Sequence, residues 1–456
     1  MMGVTIVGGG FSGLAAAYEL ARHRIPVTVL EAQGDVGGLA AAFEVGGAKV
    51  ERFYHHWFTN DLDVMALVDE LGLRDQVTIN PTNTGMYYAN RMFRLSTPVD
   101  LINFTPLPFT DRLRLGLLAL RVRRVRDWTD LENKTAAQWL RQIGGDNVFR
   151  VVWEPLLLGK FGPYAGDVSA VWFWNKIKLR GSSRGRGGEE RLAYFKGGFA
   201  ALATAVAGSI RALGGRIVTN TPVHSIDPID GGWSCVTADG AVLSRRVIST
   251  TALPLIAEMV RAWAPEDYVQ QLERIKYLAN VCLVLEMKRS LSETYWLNVN
   301  DPGFPFVGVI EHTNFEPSDT YGGNHIVYLS KYLPHSDPLY ALSEEEFLEY
   351  AFPYLKIMFP ALERSWIRAC HLWRADWAQP VVEKHYSRLI PQSDGPFDGF
   401  HICSMAQVYP EDRGTNYSIR DGRRLGARIA QEMHAGNNGR NGAELRAAYA
   451  RTGEGA

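Results

Sequence analysis

The stretch Val4-Thr5-Ile6-Val7-Gly8-Gly9-Gly10-Phe11-Ser12-Gly13 decides the fold of this chain. Four β-favouring residues lead into glycines with the spacing G-x-G-x-x-G, and a helix-forming run follows from Leu14 to Arg22. Gly8 allows a sharp turn off the strand, Gly10 leaves no Cβ between the backbone and a pyrophosphate, and Gly13 lets the helix pack close to the strand. The pattern predicts a βαβ unit that binds a dinucleotide at the helix N-terminus. The predicted binding loop comprises Gly8, Gly10, Phe11, Ser12 and Gly13.

The second predicted strand ends in an acidic residue. Val27-Thr28-Val29-Leu30 is followed by Glu31, which lies 18 residues beyond Gly13. A carboxylate at this place can accept hydrogen bonds from both hydroxyls of an adenosine ribose, and it would repel a 2′-phosphate. Glu31 and Ala32 are therefore predicted to contact the adenosine half of the dinucleotide. A purely structural glycine turn is the alternative.

The residues after Glu31 narrow the choice of cofactor. Gly37 and Gly38 follow six residues later, and Leu39 comes next. Here the chain resembles the superfamily of flavin-dependent amine oxidases, protoporphyrinogen oxidases and phytoene desaturases, most closely its bacterial protoporphyrinogen oxidase-like NAD(P)/FAD-dependent oxidoreductases. The E-x(5–6)-G-G-R element of that family passes over the pyrophosphate of FAD. The resemblance implies FAD as cofactor, with contacts from Gly37, Gly38 and Leu39. Leu39 replaces the usual arginine, so only a backbone contact is expected from this position.

The resemblance extends to two later segments. Thr221-Pro-Val-His-Ser-Ile226 is similar to the T-x-V-x-x-I segment whose valine, here Val223, offers its backbone to the adenine. Near the C-terminus, Asp412-Arg-Gly-Thr-Asn-Tyr417 leads into a predicted helix, Ser418 to Met433. In the family this helix N-terminus lies under the isoalloxazine, and Thr415 or Asn416 suits the N-cap. The resemblance implies cofactor contacts from Thr415, Asn416 and Tyr417.

Composition limits the function classes. The 456 residues are 46% hydrophobic and 21% charged with a net charge of −1, which gives no case for nucleic-acid binding. The cysteines, Cys235, Cys282, Cys370 and Cys403, are widely spaced and predict reduced core residues, neither disulfides nor metal ligands. Apolar runs stay shorter than the ~18 residues of a membrane-spanning helix. Since residues 1–10 predict a core strand and no signal peptide, a cytoplasmic location is expected.

The predicted fold class is α/β. A discontinuous Rossmann-like FAD-binding domain is expected from residues 1–60, 190–254 and 396–434. Residues 61–96 and 255–395 are expected to form a mixed α+β substrate domain, and 97–189 a helical subdomain. The Gly-, Asn- and Ala-rich residues 435–456 are expected to be a flexible tail. Oligomeric state is left open.

Four residues are candidates for catalysis. His55 and His56 lie among aromatic residues, where they are either satisfied within an aromatic core or one of them lies beside the flavin or the substrate. Lys160 follows an E-P-L-L element that resembles the protoporphyrinogen oxidase branch, and is either a surface lysine or a residue of the substrate site. Arg374 lies in an R-A-D-W…P stretch that resembles the family element leading back to the flavin.

Two arginine-rich segments admit more than one interpretation. Residues 181–188 predict a loop in which Arg184 and Arg186 could close over an anionic substrate, or a solvated loop with no role. Residues 106–126 combine leucines at a spacing of three to four with six arginines. That pattern fits an ordinary core-packed helix with a solvated arginine face, or an amphipathic helix on an anionic inner membrane face.

The resemblance implies an FAD-dependent oxidoreductase that transfers a hydride from an activated C–H or C–N bond of a small or lipophilic substrate to flavin N5. Two other classes are open. The run Phe53-Tyr-His-His-Trp-Phe-Thr-Asn60 also resembles a segment of UDP-galactopyranose mutases, which use reduced flavin without net redox on a nucleotide sugar. Such a mutase needs paired arginines, for which Arg180, Arg184, Arg186 and Arg374 are candidates. The third class is a flavin-binding scaffold without turnover.

Overall fold

The computed structural model describes residues 3–94, 97–182, 190–301 and 303–452. In these ranges the strands are β1 Val4–Val7, β2 Val27–Leu30, β3 Ala42–Val45, β4 Ala48–Glu51, β5 Trp57–Phe58, β6 Val77–Thr82, β7 Thr84–Tyr88, β8 Arg91–Arg94, β9 Glu190–Phe195, β10 Arg216–Val218, β11 Val223–Ile229, β12 Gly232–Thr237, β13 Gly240–Ser244, β14 Arg246–Ser249, β15 Tyr277–Met287, β16 Trp296–Val299, β17 Gly308–Glu311, β18 His325–Leu333, β19 Ile367–Pro380 and β20 Phe400–Ile402.

The α-helices are α1 Phe11–Arg22, α2 Leu62–Glu70, α3 Pro98–Ile102, α4 Phe109–Arg124, α5 Ala136–Gly144, α6 Asp146–Val148, α7 Glu154–Phe161, α8 Ala170–Ser182, α9 Gly198–Ala212, α10 Leu253–Val260, α11 Glu266–Glu273, α12 Glu344–Met358 and α13 Thr415–Thr452.

The cofactor half is built around a parallel sheet. In the described residues its strands lie in the order β10-β2-β1-β14-β20. These strands come from three separated parts of the chain, as the discontinuous α/β prediction requires. Helices α9 and α13 pack on α1. The buried carboxylate of Glu51 accepts a hydrogen bond from the Phe199 amide (2.6 Å), which holds the start of α9.

The second half is a mixed sheet with two different faces. Its strands follow the order β19-β15-β18-β17-β16-β7-β8 in the described part of the chain. Val281, Leu283 and Leu285 of β15 pack with α12 on one face. The alternate residues Cys282 and Val284 pack towards the cofactor half. Because successive side chains of a strand point to opposite faces, the register of β15 separates the outer core from the interior site.

The β7–β8 hairpin turns at Ala89 and Asn90, both with positive φ. Residues 61–82 lie with the cofactor half and not with the substrate domain, since α2 contacts α13 and β6 pairs with β9. Sequence alone did not indicate this because strand partners distant in the chain leave no local signal.

The last helix differs from the prediction at both ends. It begins at Thr415, and its first bond runs from the Ser418 amide to the Gly414 carbonyl, so Gly414 occupies the N-cap position expected for Thr415 or Asn416. Glycine is also an accepted N-cap residue. The helix continues to Thr452, past the predicted end at Met433 and into the segment expected to be a flexible tail. Among the described helices, none has the length and apolar character to cross a bilayer.

Candidate active site

The glycine-rich loop lies where β1 ends and α1 begins. Gly8 has φ +106°, and its amide donates to the Leu30 carbonyl at 2.8 Å, which joins the loop to the end of β2. A Cβ on Gly13 would lie 2.0 Å from the Gly8 carbonyl oxygen, so only glycine allows α1 to approach the strand this closely. Gly8 thus makes the turn off β1, and Gly13 allows the close packing of α1 on the strand.

The start of α1 is open on the side where a diphosphate would bind. Its N-cap, Gly10, makes no side-chain cap hydrogen bond, and a Cβ there would meet only Gly38 at 3.8 Å. Gly37 donates its amide to the Gly9 carbonyl at 2.9 Å, which brings the second glycine pair over the first. The first-turn amides of an uncapped helix, here including Phe11 and Ser12, lack intrahelical partners. This cradle fits the diphosphate of FAD.

Glu31 lies at the end of β2 with its carboxylate oriented by backbone amides. The Gly9 amide donates to Oε2 at 2.6 Å and the Gln33 amide donates to Oε1 at 2.8 Å. The Thr221 amide donates to the Glu31 carbonyl at 2.8 Å, so the segment leading to Val223 lies beside it. This hydrogen bond joins the end of β2 to the segment that contains Val223, and the ribose and adenine contacts of Glu31 and Val223 stay predictions. Ala32 is exposed, and Leu39 is half-buried in the turn after Gly38.

The start of α13 is the second helix end at the site. Thr415, Asn416 and Tyr417 form its first turn, whose amides are available to a ligand. The Asn416 side chain has a different task from the one predicted. Its Oδ1 accepts from the Val64 amide at 3.0 Å, and its Nδ2 donates to Asp63, so Asn416 caps α2.

His55 is half-buried and neutral. Its Nδ1 lies 2.6 Å from the Phe53 carbonyl oxygen, and its ring centroid lies 5.1 Å from that of Phe199. Because a carbonyl oxygen only accepts, Nδ1 carries the proton and Nε2 is an acceptor. Burial lowers the pKa of His55 to about 4, and the charge of Arg413 acts in the same direction. His55 can therefore accept a hydrogen bond from a ligand, but it brings no positive charge.

His56 belongs to an aromatic group. Its Nδ1 lies 3.0 Å from the Tyr295 hydroxyl, and its ring meets Phe58 and Trp296 edge-on. Adjacent residues of an extended segment point in opposite directions, so His56 faces away from His55. The geometry fits the first of the two predicted alternatives for His56, a histidine satisfied within an aromatic core.

Lys160 lies at the site and not on the surface. Its Nζ is 3.5 Å from Oδ2 of Asp412, and Lys176 Nζ is 2.6 Å from the same oxygen. The side chain of Lys160 is 20% exposed and that of Asp412 is 5% exposed. Lys160 comes from α7, Lys176 from α8, and Asp412 lies three residues before Thr415, the first residue of α13. The helical subdomain thus contributes two cations to the end of the cofactor half.

Arg413 adds a third cation. Its Nε donates to Oε1 of Gln379 at 3.1 Å and its Nη2 donates to the Tyr332 hydroxyl at 2.9 Å. Gln379 in turn donates to Oδ1 of Asp412 at 3.4 Å. We call Lys160, Lys176, Asp412 and Arg413 the cationic cluster. Sequence reasoning missed Lys176 and assigned no role to Asp412 and Arg413, although an Asp-Arg pair directly before a helix was a usable signal.

The charges of the cluster depend on one another. Burial alone would raise the pKa of Asp412, but the charges of Lys160, Lys176 and Arg413 hold it well below its usual value. Burial lowers the pKa of Lys160 to about 7; Asp412 opposes this, while the other two cations add to it. Asp412 is therefore a carboxylate at neutral pH, and Lys160 can gain or lose a proton there.

Arg374 lies apart from the cluster. On β19 it pairs with Val281, whose side chain packs with α12, while the preceding residue, Trp373, faces Phe43 with ring centroids 5.2 Å apart. The exposed Arg374 guanidinium donates to the carbonyls of Tyr340 and Leu342. The alternation of β19 thus puts this candidate on the outer face. The side chain of Arg180, and residues Arg184 and Arg186, lie outside the described part of the chain.

Comparison with known proteins identifies the family. Residues 11–424 match the family described as flavin containing amine oxidoreductase. The mitochondrial protoporphyrinogen oxidase of Nicotiana tabacum is 28% identical over 191 residues, which cover 39% of this chain and 37% of that protein. The matched part thus spans less than two fifths of that relative.

Two solved structures share the fold, and their names give chemistries that differ from that of the tobacco enzyme. Cyclohexylamine oxidase from Brevibacterium oxydans IH-35A has a TM-score of 0.73 at 17% identity, covering 95% of this chain and 99% of its own. A reduced UDP-galactopyranose mutase has a TM-score of 0.66 at 16% identity, covering 85% and 86%. With the cradle that fits FAD and the match over residues 11–424, this chain belongs to the family of flavin containing amine oxidoreductases, with FAD as its cofactor.

Proposed function

We propose that this chain is an oxidoreductase that takes a hydride from an activated C–H or C–N bond of a lipophilic substrate carrying an anionic group. The bound flavin supplies the chemistry by accepting the hydride at N5. The residues of the chain place the substrate and exclude water around it. The observation that carries the proposal is the cationic cluster at the start of α13.

The cluster has more positive than negative charge. Among the described residues, Lys160 and Lys176 form ion pairs with one carboxylate, that of Asp412, and the charge of Arg413 acts on the same group. Asp61 acts on Lys176 through space, and positive charges still outnumber negative ones when it is included. Partly buried cations that lack a counter-charge are costly, so an anionic group entering this place is stabilised.

The surroundings of Lys160 also suit a lipophilic body. Its Nζ lies 4.8 Å from the ring centroid of Trp172 and 5.5 Å from that of Tyr332. These rings offer apolar surface next to the charges. A porphyrinogen, the substrate class named for the tobacco relative, combines an apolar macrocycle with carboxylates. An amine would add another cation to the cluster. Porphyrinogens are therefore the first substrate class to test, polyenes the second and amines the third.

The test measures bleaching of the flavin under anaerobic conditions. The purified protein is mixed with porphyrinogens, polyenes and amines, and each acid is compared with its methyl ester. We expect the acid to reduce the flavin with the lower KM. Lys176→Met should raise KM for the acid about tenfold and leave the ester nearly unchanged.

The matched control for that variant is Lys178→Met. Lys178 is exposed on the same helix, with its Nζ 4.6 Å from the Trp174 ring centroid. It should behave as the wild type. Equal use of acid and ester by the wild type, or equal effects of the two lysine variants, would remove the anionic group from the proposal. Failure of every substrate to bleach the flavin would count against the hydride transfer itself and favour a scaffold without turnover.

One observation keeps the mutase as a second candidate. The cationic cluster can also bind the diphosphate of a nucleotide sugar, although Arg374, a candidate for the paired arginines, lies on the other face of the sheet. The protein reduced with dithionite would then convert UDP-galactopyranose into a ring-contracted isomer with no reoxidation of the flavin. Conversion only in the reduced state, together with no bleaching by any acid, would replace the oxidoreductase proposal.

A further inference from the structure

Arg52 follows β4 directly and is tied to the turn over the diphosphate cradle. Its amide donates to the Ala41 carbonyl at 3.0 Å, and the Ala41 amide donates to the Gly38 carbonyl at 3.0 Å. Three residues after Arg52, burial and the positive charge of Arg413 lower the pKa of His55, so the same segment also reaches the residues that precede α13. Arg52 therefore lies on the stretch of chain that connects the surroundings of the two helix ends.

The Arg52 side chain extends to the inner face of the mixed sheet. Its guanidinium carbon lies 4.7 Å from the ring centroid of Trp373 on β19. Trp373 pairs with Cys282, whose side chain faces the cofactor half, and its ring centroid lies 5.2 Å from that of Phe43. The guanidinium is thus held between the cofactor half and the sheet. An arginine stacked on an aromatic ring keeps its charge.

Two N–H groups at this contact have no acceptor in the described part of the chain. They are Nε of Arg52 and Nε1 of Trp373, and both atoms are buried. A buried donor without a partner is costly, because it has lost its hydrogen bond to water and gained none in return. A ligand that brings acceptor atoms to this place would therefore be stabilised.

Acids on the neighbouring elements bind other groups. Within the described ranges no carboxylate forms an ion pair with Arg52. The carboxylate of the preceding residue, Glu51, accepts from the Tyr194 hydroxyl at 2.7 Å, and burial raises the pKa of Glu51 to about 7. Glu286, on the inner face of the sheet, has its Oε1 2.8 Å from Nε2 of His371. A half-buried cation without a contacting counter-charge favours negative charge on a ligand beside it.

We propose that Arg52 contacts the flavin ring of the bound FAD and stabilises its reduced form. The ribityl chain between ring and diphosphate is short, so FAD with its diphosphate on α1 has its ring within reach of the segment after β4. Uptake of two electrons and one proton leaves negative charge in the N1–C2 carbonyl region, and an arginine there raises the reduction potential. The diphosphate already has the amides of α1 as partners. The inference rests on FAD as cofactor and not on the substrate proposed above.

The test measures the midpoint potential of FAD bound to the holoprotein. Anaerobic equilibration with a reference dye gives this potential without any substrate. We expect Arg52→Leu to weaken the binding of reduced FAD about tenfold more than that of oxidised FAD, which lowers the potential by about 30 mV for a two-electron couple. Arg52→Lys keeps the charge and should retain most of the wild-type potential.

The matched control is Arg368→Leu, which removes an exposed arginine from the same strand as Trp373. Its potential should equal that of the wild type. Equal potentials in Arg52→Leu and Arg368→Leu overturn the proposal. Thermal unfolding and flavin content show whether each variant folds and holds FAD. Arg52→Gln, which is neutral but keeps a long polar side chain, replaces Arg52→Leu if that variant does not fold.

Two other results would assign the Arg52 guanidinium to a different group, and both overturn the proposal. Weaker FAD binding at an unchanged potential would place it on the diphosphate or the ribityl chain, whose charge does not change on reduction. A raised KM for acids and not for their methyl esters, again at an unchanged potential, would place it on the substrate. If no substrate bleaches the flavin, the potentials can still be measured, so the proposed function and this inference fail separately.

Discussion

The two helix ends at the site, those of α1 and α13, are alike in backbone and different in surroundings. Each helix begins after a glycine, Gly10 for α1 and Gly414 for α13. The helices pack closely because α13 carries Gly422 and Gly426, where a Cβ would lie 2.3 Å and 2.6 Å from backbone oxygens of α1. Two helix N-termini are thereby brought side by side.

The surroundings show what each end recognises. The start of α1 is enclosed by backbone and glycine, with the Glu31 carboxylate at a short distance along β2. Just before the start of α13, Asp412 contacts Lys160 of α7 and Lys176 of α8, and Arg413 donates to Tyr332 of β18 and Gln379 of β19. Backbone amides suit the diphosphate of FAD, while charged side chains suit the substrate proposed above.

The largest effect is expected from Gly13→Ala. The added Cβ would lie 2.0 Å from the Gly8 carbonyl oxygen, which is backbone and cannot rotate away. Unfolding free energy should fall by about 3 kcal/mol or more, and FAD should be lost with the fold. Urea denaturation and the flavin absorbance of the purified variant measure both. A variant that keeps its FAD and its stability would show that α1 does not pack on β1 as described.

Gly10→Ala tests the diphosphate cradle and should leave the fold unchanged. Gly10 has φ −72°, and its added Cβ would meet only Gly38 at 3.8 Å. Stability of the apoprotein should change by no more than about 1 kcal/mol. FAD affinity should fall about 100-fold, because the methyl group occupies the space of the diphosphate. Isothermal titration of the apoprotein with FAD gives the affinity; unchanged binding would place the diphosphate elsewhere.

Asp412→Asn breaks the cluster at the other helix end. It leaves Lys160, Lys176 and Arg413 without their shared carboxylate, so unfolding free energy should fall by about 3 kcal/mol. The double variant Asp412→Asn, Lys160→Met should recover part of this loss, because one unpaired charge is gone. Chemical denaturation of the two single variants and the double variant gives the coupling energy. An additive double variant would mean that the two charges do not interact.

The pH dependence of substrate binding tests the charge of Lys160. Its pKa is lowered to about 7, so the charge is present below pH 7 and lost above it. KM for an anionic substrate should rise several-fold between pH 6 and 8.5. Lys160→Arg should flatten this rise, since arginine keeps its charge.

Stability gives the same group an independent check. The folded-state pKa of Lys160 lies below the ordinary lysine value of 10.5, so the unfolded chain binds more protons between the two. Stability of the wild type relative to Lys160→Met should therefore rise as pH increases from about 7 to 10. A difference that is constant over this range would contradict the lowered pKa.

The smallest effect is expected from Asn416→Ala. The variant removes the Oδ1 atom that accepts from the Val64 amide, and loss of a cap costs about 1 kcal/mol. FAD affinity should stay near the wild-type value, because the amide of residue 416 is kept. A melting temperature equal to that of the wild type, with weaker FAD binding, would instead assign the side chain to the cofactor.

Local pattern was enough for the first helix end and for many elements. The strand, glycines, helix and acid of residues 4–31 lie where their spacing placed them. The N-cap of α13 was predicted at Thr415 or Asn416 and lies at Gly414. Glycine allows several backbone roles, so its type alone could not settle which residue opens the helix.

Among the candidate site residues, too, sequence found some correctly and tertiary structure decided the others. Lys160 lies in the cluster, but Arg374 lies on the outer face, because the register of β19 against β15 decides which alternate residues face inward. Lys176 was missed because a lysine in an apolar helix usually extends to solvent. Its partner, Asp412, is more than 200 residues away in the sequence.

The diphosphate end of the site follows from about thirty consecutive residues. Its recognition uses backbone amides and missing side chains, both of which depend on local conformation and therefore on residue type and spacing. The substrate end depends on contacts between distant segments. Only the tertiary structure brings Lys160 of α7 and Lys176 of α8 to Asp412, which lies just before the start of α13.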